Sequence, residues 1–221
     1  MFQEFSDIKK LEIKERIIAK AREQFFRYGV KSITMDDIAR ELGISKKTIY
    51  QHFEDKDAIV HQLMMAEMAN DKCEWDELDG SSNNVIEKIV KSMDIIRQAF
   101  AEINPSAFFD IKKYHPKTWQ LFQDHKQNFV MESIRKELLQ GIEEGFFRAD
   151  IKVEILVRMR MEQIEMGFDP QIFPPNKFSL IEVELTMLDH YIRGILTPKG
   201  LEIYQEFMHN AFNNKQLVGS F

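Results

Sequence analysis

Lys46, Lys47, Thr48, Tyr50, Gln51 and His52 fall within seven consecutive positions interrupted only by Ile49. Ammonium and hydroxyl groups suit phosphate oxygens, and amides and hydroxyls also pair with base edges, so this cluster has the chemistry of nucleic-acid contact. Such groups need a rigid support that turns their apolar neighbours inward. Ile49 and Phe53, four residues apart, share one face of a helix and leave the polar set on the other. Ser45 is placed to cap that helix. Gly43 supplies the positive φ of a sharp turn just before it. An earlier helix opens at Thr34, where Asp37 three residues on completes a capping box, and Ile38, Ala39 and Leu42 form its inner face. Thr34 to Phe53, TMDDIARELGISKKTIYQHF, therefore spells two short helices joined by a tight turn. The second is expected to be a recognition helix for a DNA groove.

A third helix must hold this pair. Lys9 to Tyr28 carries Ile13, Ile17, Ala21 and Phe25, with Ile18 and Phe26 beside them, as the stripe of an amphipathic helix ending at Gly29. Three such helices can also form a bundle that touches no DNA. Tyr50 separates the two readings, because helical spacing cannot bury it together with Ile49 and Phe53.

On Thr34, Ile38, Ala39, Gly43, Ser45, Thr48, Tyr50, His52, Phe53 and Lys56 the chain closely resembles the TetR family of one-component transcriptional regulators. Many members carry a small residue, often Gly, where this sequence has Lys47, which adds a cation. The resemblance implies an all-α protein. Residues 1–54 would be a helix-turn-helix DNA-binding domain, joined by a long helix to a ligand-binding and dimerisation bundle within 55–221. Resemblance and chemistry together place Thr34, Lys46, Tyr50 and Lys56 at phosphates and Lys47, Thr48 and Gln51 at bases, with His52 on the same outward surface.

Composition agrees. With 221 residues, 44% of them hydrophobic, and only 9 Gly and 6 Pro, the chain has apolar residues at helical spacing and enough of them for real cores. No apolar run reaches the roughly 18 to 20 residues that span a bilayer, and the N-terminus lacks signal-peptide features, so a cytoplasmic protein is expected. The lone Cys73 excludes an internal disulfide framework. The net charge of −6 is unevenly spread: residues 1–60 hold 12 Lys+Arg against 11 Asp+Glu, the rest 18 against 25. DNA contact must therefore use cations gathered on one face, with Lys46, Lys47 and Lys56 the candidates.

Beyond the motif, a long helix from Asp55 towards Asp76–Gly80 is expected to connect reader to sensor. Asn84 with Glu87, Pro105 and Asp150 mark further helix starts, His115-Pro116 a break, and Leu121 to Ile142 a long helix. FDPQIFPPNK reads as a loop. Aromatic and thioether side chains are frequent between 93 and 173, and most belong to the core. Phe100, Phe108, Trp119, Phe122 and Met159 are nevertheless candidates to line a pocket for a small amphipathic effector. Arg160 lies on the apolar stripe of Val153, Leu156, Val157, Met161 and Ile164. Its guanidinium requires an anion, supplied either by an internal Glu or Asp or by a ligand with a carboxylate or phosphate.

Ser179 and Glu182 suggest another capping box. The last two helices carry apolar residues on more than one side, among them Leu180, Val183, Met187, Leu188, Ile192 and Ile195, then Tyr204, Phe207 and Ala211. Two such helices from each of two copies can form a four-helix interface, and the resemblance implies that they build a homodimer. The alternative is that these residues bury against their own domain. Two recognition helices roughly 34 to 36 Å apart would meet successive major grooves, which calls for a palindromic double-stranded operator.

An enzyme would show a nucleophile with its base, a phosphate-binding glycine loop or a metal-ligand group. None is visible, and no cofactor or metal is expected. The function read from the sequence is a DNA-binding transcriptional regulator, a repressor released by a small amphipathic or apolar ligand. A helical protein-interaction adaptor or a non-specific architectural DNA binder is the rival reading.

Overall fold

The computed structural model describes residues 2–101 and 103–218, with side chains described for 12–101 and 103–211. Its helices are α1 (Phe2–Tyr28), α2 (Met35–Leu42), α3 (Lys46–His52), α4 (Lys56–Ser81), α5 (Val85–Phe100), α6 (Ser106–Tyr114) and α7 (Pro116–His125). A π-helical turn, Lys126–Val130, leads into α8 (Met131–Glu143), followed by α9 (Val153–Gly167), α10 (Leu180–Ile195) and α11 (Pro198–Val218). Among the described residues there is no strand beyond one isolated antiparallel bridge, Phe147 with Leu196. The all-α class follows.

The chain divides into two compact units, Met1–Asn70 with Glu102–His125, and Asp71–Ala101 with Lys126–Phe221. The boundary falls inside α4. The first unit is larger than the 1–54 segment expected to read DNA, because α6 returns to it and contributes Ala107 and Ile111 to its core. In that core Ile17, Ala21 and Phe25 of α1 meet Ile38 and Ala39 of α2, Ile49 of α3 and Ile59 of α4. The four-residue spacing seen in the sequence is thus the buried stripe of α1. Full burial of each large aliphatic or aromatic side chain contributes about 1.5–3 kcal/mol. Asp110 of α6 ties the loop after α1 in place, its Oδ2 accepting from the Lys31 backbone N–H at 2.7 Å.

The second unit packs Val85, Ile86 and Ile89 of α5 against Leu138 of α8, Val157 and Met161 of α9, and Leu188 and Ile192 of α10. Tyr204 of α11 is fully buried, and its hydroxyl donates to Asp189 Oδ1 on α10 at 2.9 Å. Asn84 caps α5 as its spacing suggests, accepting from the Glu87 N–H at 2.9 Å.

Two expected caps are not used. Ser179 stands at the N-cap of α10, but its side chain makes no capping bond; the first turn closes through the Val183 N–H onto the Ser179 carbonyl at 3.0 Å. Asp150 lies too early to cap α9, whose N-cap is Lys152, and pairs instead with Arg148 at 3.5 Å. The long helix expected over Leu121 to Ile142 is present as α7, the π turn and α8 in succession.

Candidate nucleic-acid interface and buried cavity

The reader is assembled by short-range bonds. At Thr34, φ −107 and ψ 164 put the residue in extended backbone just before α2. Its hydroxyl oxygen accepts from the Asp37 N–H at 3.2 Å while its own N–H donates to Asp37 Oδ2 at 3.0 Å, the reciprocal pair of a capping box. The Thr34 hydroxyl also donates to Asp37 Oδ2 at 2.6 Å, and this bond first, with the Thr34 N–H next, holds the Asp37 carboxyl below the usual carboxylate range. At the far end of α2, Gly43 takes φ 64 and ψ 27. Ser45 then caps α3, its Oγ accepting from the Thr48 N–H at 3.0 Å. Both helix axes are consequently set before any DNA is present.

On α3, Ile49 is fully buried and Phe53, which ends it, is nearly so. Lys46, Lys47, Tyr50 and Gln51 are exposed; Thr48 and His52 are half-buried. Tyr50 is 46% exposed, which favours the groove-facing reading over the plain bundle. Lys46 Nζ donates to Asp36 Oδ2 on α2 at 2.9 Å, which raises the Lys46 pKa. Both partners are open to solvent, where water screens the pair, so a phosphate can displace Asp36 at little cost. The Thr48 hydroxyl is 2.8 Å from Ser45 Oγ, so this candidate base reader is partly engaged by the cap.

Lys56 differs from the free surface cation that the sequence suggests. It is half-buried, and its Nζ donates to the carbonyls of Val30 and Ile33 at 3.1 and 3.0 Å. Burial lowers its pKa. Two of its three donors thus hold the loop before α2, and its first effect is on where Thr34 and α2 sit.

In the second unit a cavity of about 230 Å³ opens among α4, α5, α8, α9 and α10. Trp75, Ile96, Phe100, Phe129 and Leu138 give it apolar walls, and Arg160, Glu184, Glu137, Tyr191 and Ser92 also line it. Phe129 and Val130 reach it from the π turn. Arg160 and Glu184 are 5% and 1% exposed. Their nearest approach, Nη2 to Oε2, is 3.9 Å, an ion pair without a hydrogen bond. Burial lowers the Arg160 pKa against the opposing pull of Glu184, and burial pushes Glu184 up to about 7. Glu137 is raised by burial too, opposed by Lys88 at 3.1 Å.

Of the residues singled out as a pocket lining, Phe100 and Arg160 face this cavity. Phe108, Trp119 and Phe122 lie in the first unit and pack on one another, with ring centroids 4.9 to 5.3 Å apart. Met159 is 42% exposed and does not line the cavity. Glu184 escaped the sequence reading, although the argument applied to Arg160 would have found it: it sits four residues from both Leu180 and Leu188 on the buried stripe of α10. Of the residues expected at a dimer interface, Leu180, Val183, Leu188, Ile192, Ile195 and Tyr204 are already buried within one copy, whereas Met187, Phe207 and Ala211 are half-buried. Among the described residues no three His, Cys, Asp or Glu side chains are grouped to hold a metal ion, and no helix is long and apolar enough to cross a membrane.

Residues 17–63 match the family described as bacterial regulatory proteins, tetR family. Over 184 residues the chain is 28% identical to the helix-turn-helix-type transcriptional regulator YvaF of Bacillus subtilis, covering 82% of this chain and 94% of that one. It is 24% identical over 157 residues to the helix-turn-helix-type transcriptional repressor KstR2 of Mycobacterium tuberculosis, covering 64% and 72%. Among solved structures, FadR of Bacillus subtilis in complex with stearoyl-CoA superposes with a TM-score of 0.61 at 17% identity, covering 82% of this chain and 98% of that one.

Proposed function

We infer from these matches that the chain is a helix-turn-helix transcriptional regulator of the TetR family, and from that premise propose that it is a repressor, binding a palindromic operator as a homodimer and released by a small amphipathic effector. The observation that carries the DNA reading is the division of α3: Ile49 and Phe53 are locked in the core while Lys46, Lys47, Tyr50 and Gln51 face solvent. Lys46, Tyr50 and Thr34 serve phosphates; Lys47, Thr48 and Gln51 read bases, with His52 at the edge of the same surface. Lys56 supports the phosphate side by holding the loop before α2.

The effector site is the cavity of the second unit. That a similarly folded regulator has been solved with stearoyl-CoA supports this reading. α4 is the covalent link: Ile59 and Leu63 belong to the core beneath the reader, and Asp71, Glu74 and Trp75 line the cavity. An effector that favours one position of α4 changes the spacing of the two readers. A coupling of about 1–3 kcal/mol alters operator affinity roughly 5- to 150-fold, enough for a switch.

Selection of bound fragments from random duplexes should yield one palindrome that survives competition by bulk DNA. On that site, Lys46→Gln should weaken all sequences alike and reduce the slope of log affinity against log salt by about one phosphate contact. Gln51→Ala should instead change the preference among sequences. Binding that ignores sequence, or identical behaviour of the two variants, overturns the assignment.

A further inference from the structure

The polar end of the cavity is electrically incomplete. Arg160 Nη1 is buried without a hydrogen-bond partner, and a guanidinium keeps its charge in a protein. The carboxyl nearest to it does not answer that charge well. Glu184 Oε2 stays 3.9 Å away, while Oε1 has no partner and abuts Gly167, where any added Cβ would collide with it. An ionised carboxylate so placed leaves lone pairs unanswered in a water-poor site, a cost a neutral carboxyl largely avoids. The other ionisable groups around the cavity are Tyr191 on α10, Glu137 on α8, the latter held by Lys88, and Asp71 and Glu74 on α4; of these, Tyr191 and Glu137 act on Arg160. Gly167 and Met187 contribute no charge. What Arg160 lacks is a hydrogen-bonded acceptor, and a carboxylate supplies two such oxygens with one negative charge.

We propose that Arg160 anchors the carboxylate of a medium-sized apolar monocarboxylic acid in this cavity, with Glu184 in its neutral form donating the second hydrogen bond to the same carboxylate. The inference rests on the effector reading only for its consequence on DNA; the binding itself is independent of it. A monoanion balances Arg160, whereas a dianionic phosphate would add a charge facing Glu137 and Glu184. The cavity of about 230 Å³ has the liquid volume of roughly seven or eight waters, which suits a chain of comparable heavy-atom count.

Binding is then linked to a proton. Burial already pushes Glu184 up to about 7, and an incoming carboxylate raises it further. At pH 6 the proton is largely in place before the ligand arrives; at pH 8 it is drawn from solvent on binding. An aliphatic acid is ionised at both pH values. Affinity is therefore level below about pH 7 and falls above it by up to about tenfold per unit.

Titration calorimetry of octanoate into the full chain, in buffers of different ionisation enthalpy, tests this. The expected result is uptake of nearly one proton at pH 8 and little at pH 6, with 1-octanol and octylamine binding at least tenfold more weakly. Arg160→Gln should abolish octanoate binding; Glu184→Gln should keep it but remove the proton uptake and the pH dependence. Uptake of no proton, octanol equal to octanoate, or no binding of any alkanoate from hexanoate to dodecanoate overturns the proposal. If either variant fails to fold, the unmodified chain's proton count and the octanol comparison still decide. Octanoate that binds without altering operator affinity refutes the effector reading and leaves this site standing. Release of DNA by another molecule, with no alkanoate bound, does the reverse.

Discussion

At Gly43 the backbone takes φ 64, and nothing lies within 4 Å of where a Cβ would stand. A side chain there would strain only the backbone. Gly43→Ala is expected to destabilise the chain by about 1–2 kcal/mol, with Asn costing less, since Asn tolerates the left-handed region. A lower urea midpoint at unchanged slope would show it, and an unchanged midpoint would refute it. Gly43 was legible because the need is local: a helix ends, another begins, and only the intervening residue must bend. Lys56 and Glu184 were not, since their roles depend on which carbonyl or guanidinium the fold brings near them. Lys56 matches the family pattern, yet its ammonium is bonded to Val30 and Ile33.

Among the elements, α5 shows how a helix start can make stability depend on pH. Glu87 Oε2 accepts from the backbone N–H and the side-chain amide of Asn83 at 2.9 and 2.8 Å, and Lys91 pairs with Oε1 at 2.9 Å. Lys91 first, and Asn83 next, lower its pKa from 4.5 to about 2. A carboxyl depressed on folding adds stability that is complete above its unfolded value and lost as pH falls through the folded one. Thermal melting of Glu87→Gln should therefore fall furthest below the unmodified chain near neutral pH, the gap closing between about pH 4.5 and 2. A gap independent of pH would assign the effect to packing. α10 differs in kind. Its apolar residues were legible, but their destination was not: Leu180, Val183 and Ile192 fill their own unit.

For the whole molecule, that burial moves the proposed interface onto what one copy leaves open, with Met187, Phe207 and Ala211 as the expected residues still available. Light scattering at micromolar concentration should return twice the 26.2 kDa chain mass. Met187→Lys should shift that value towards the monomer while leaving helicity intact. A persistent dimer would place the contact elsewhere, and a monomeric unmodified chain would remove the basis for a palindromic operator. The charge distribution serves the same arrangement. Residues 61–221 carry 18 Lys+Arg against 25 Asp+Glu, so DNA is repelled from most surfaces other than the reader.

Residue order alone specified the helical class, the turn at Gly43, the caps at Thr34, Ser45 and Asn84, and the outward placement of Lys46, Lys47, Tyr50 and Gln51 on α3. Each of these is set within one or two turns of chain, where spacing and hydrogen-bonding chemistry act directly. Only the folded chain decided that Phe108, Trp119 and Phe122 pack together in one unit while Phe100 lines a cavity in the other. The same holds for the meeting of Arg160 with Glu184, 24 positions away in sequence and 3.9 Å in space. An apolar stripe says that a face is buried. It carries no record of which neighbour covers it, or of whether the neighbours leave a gap.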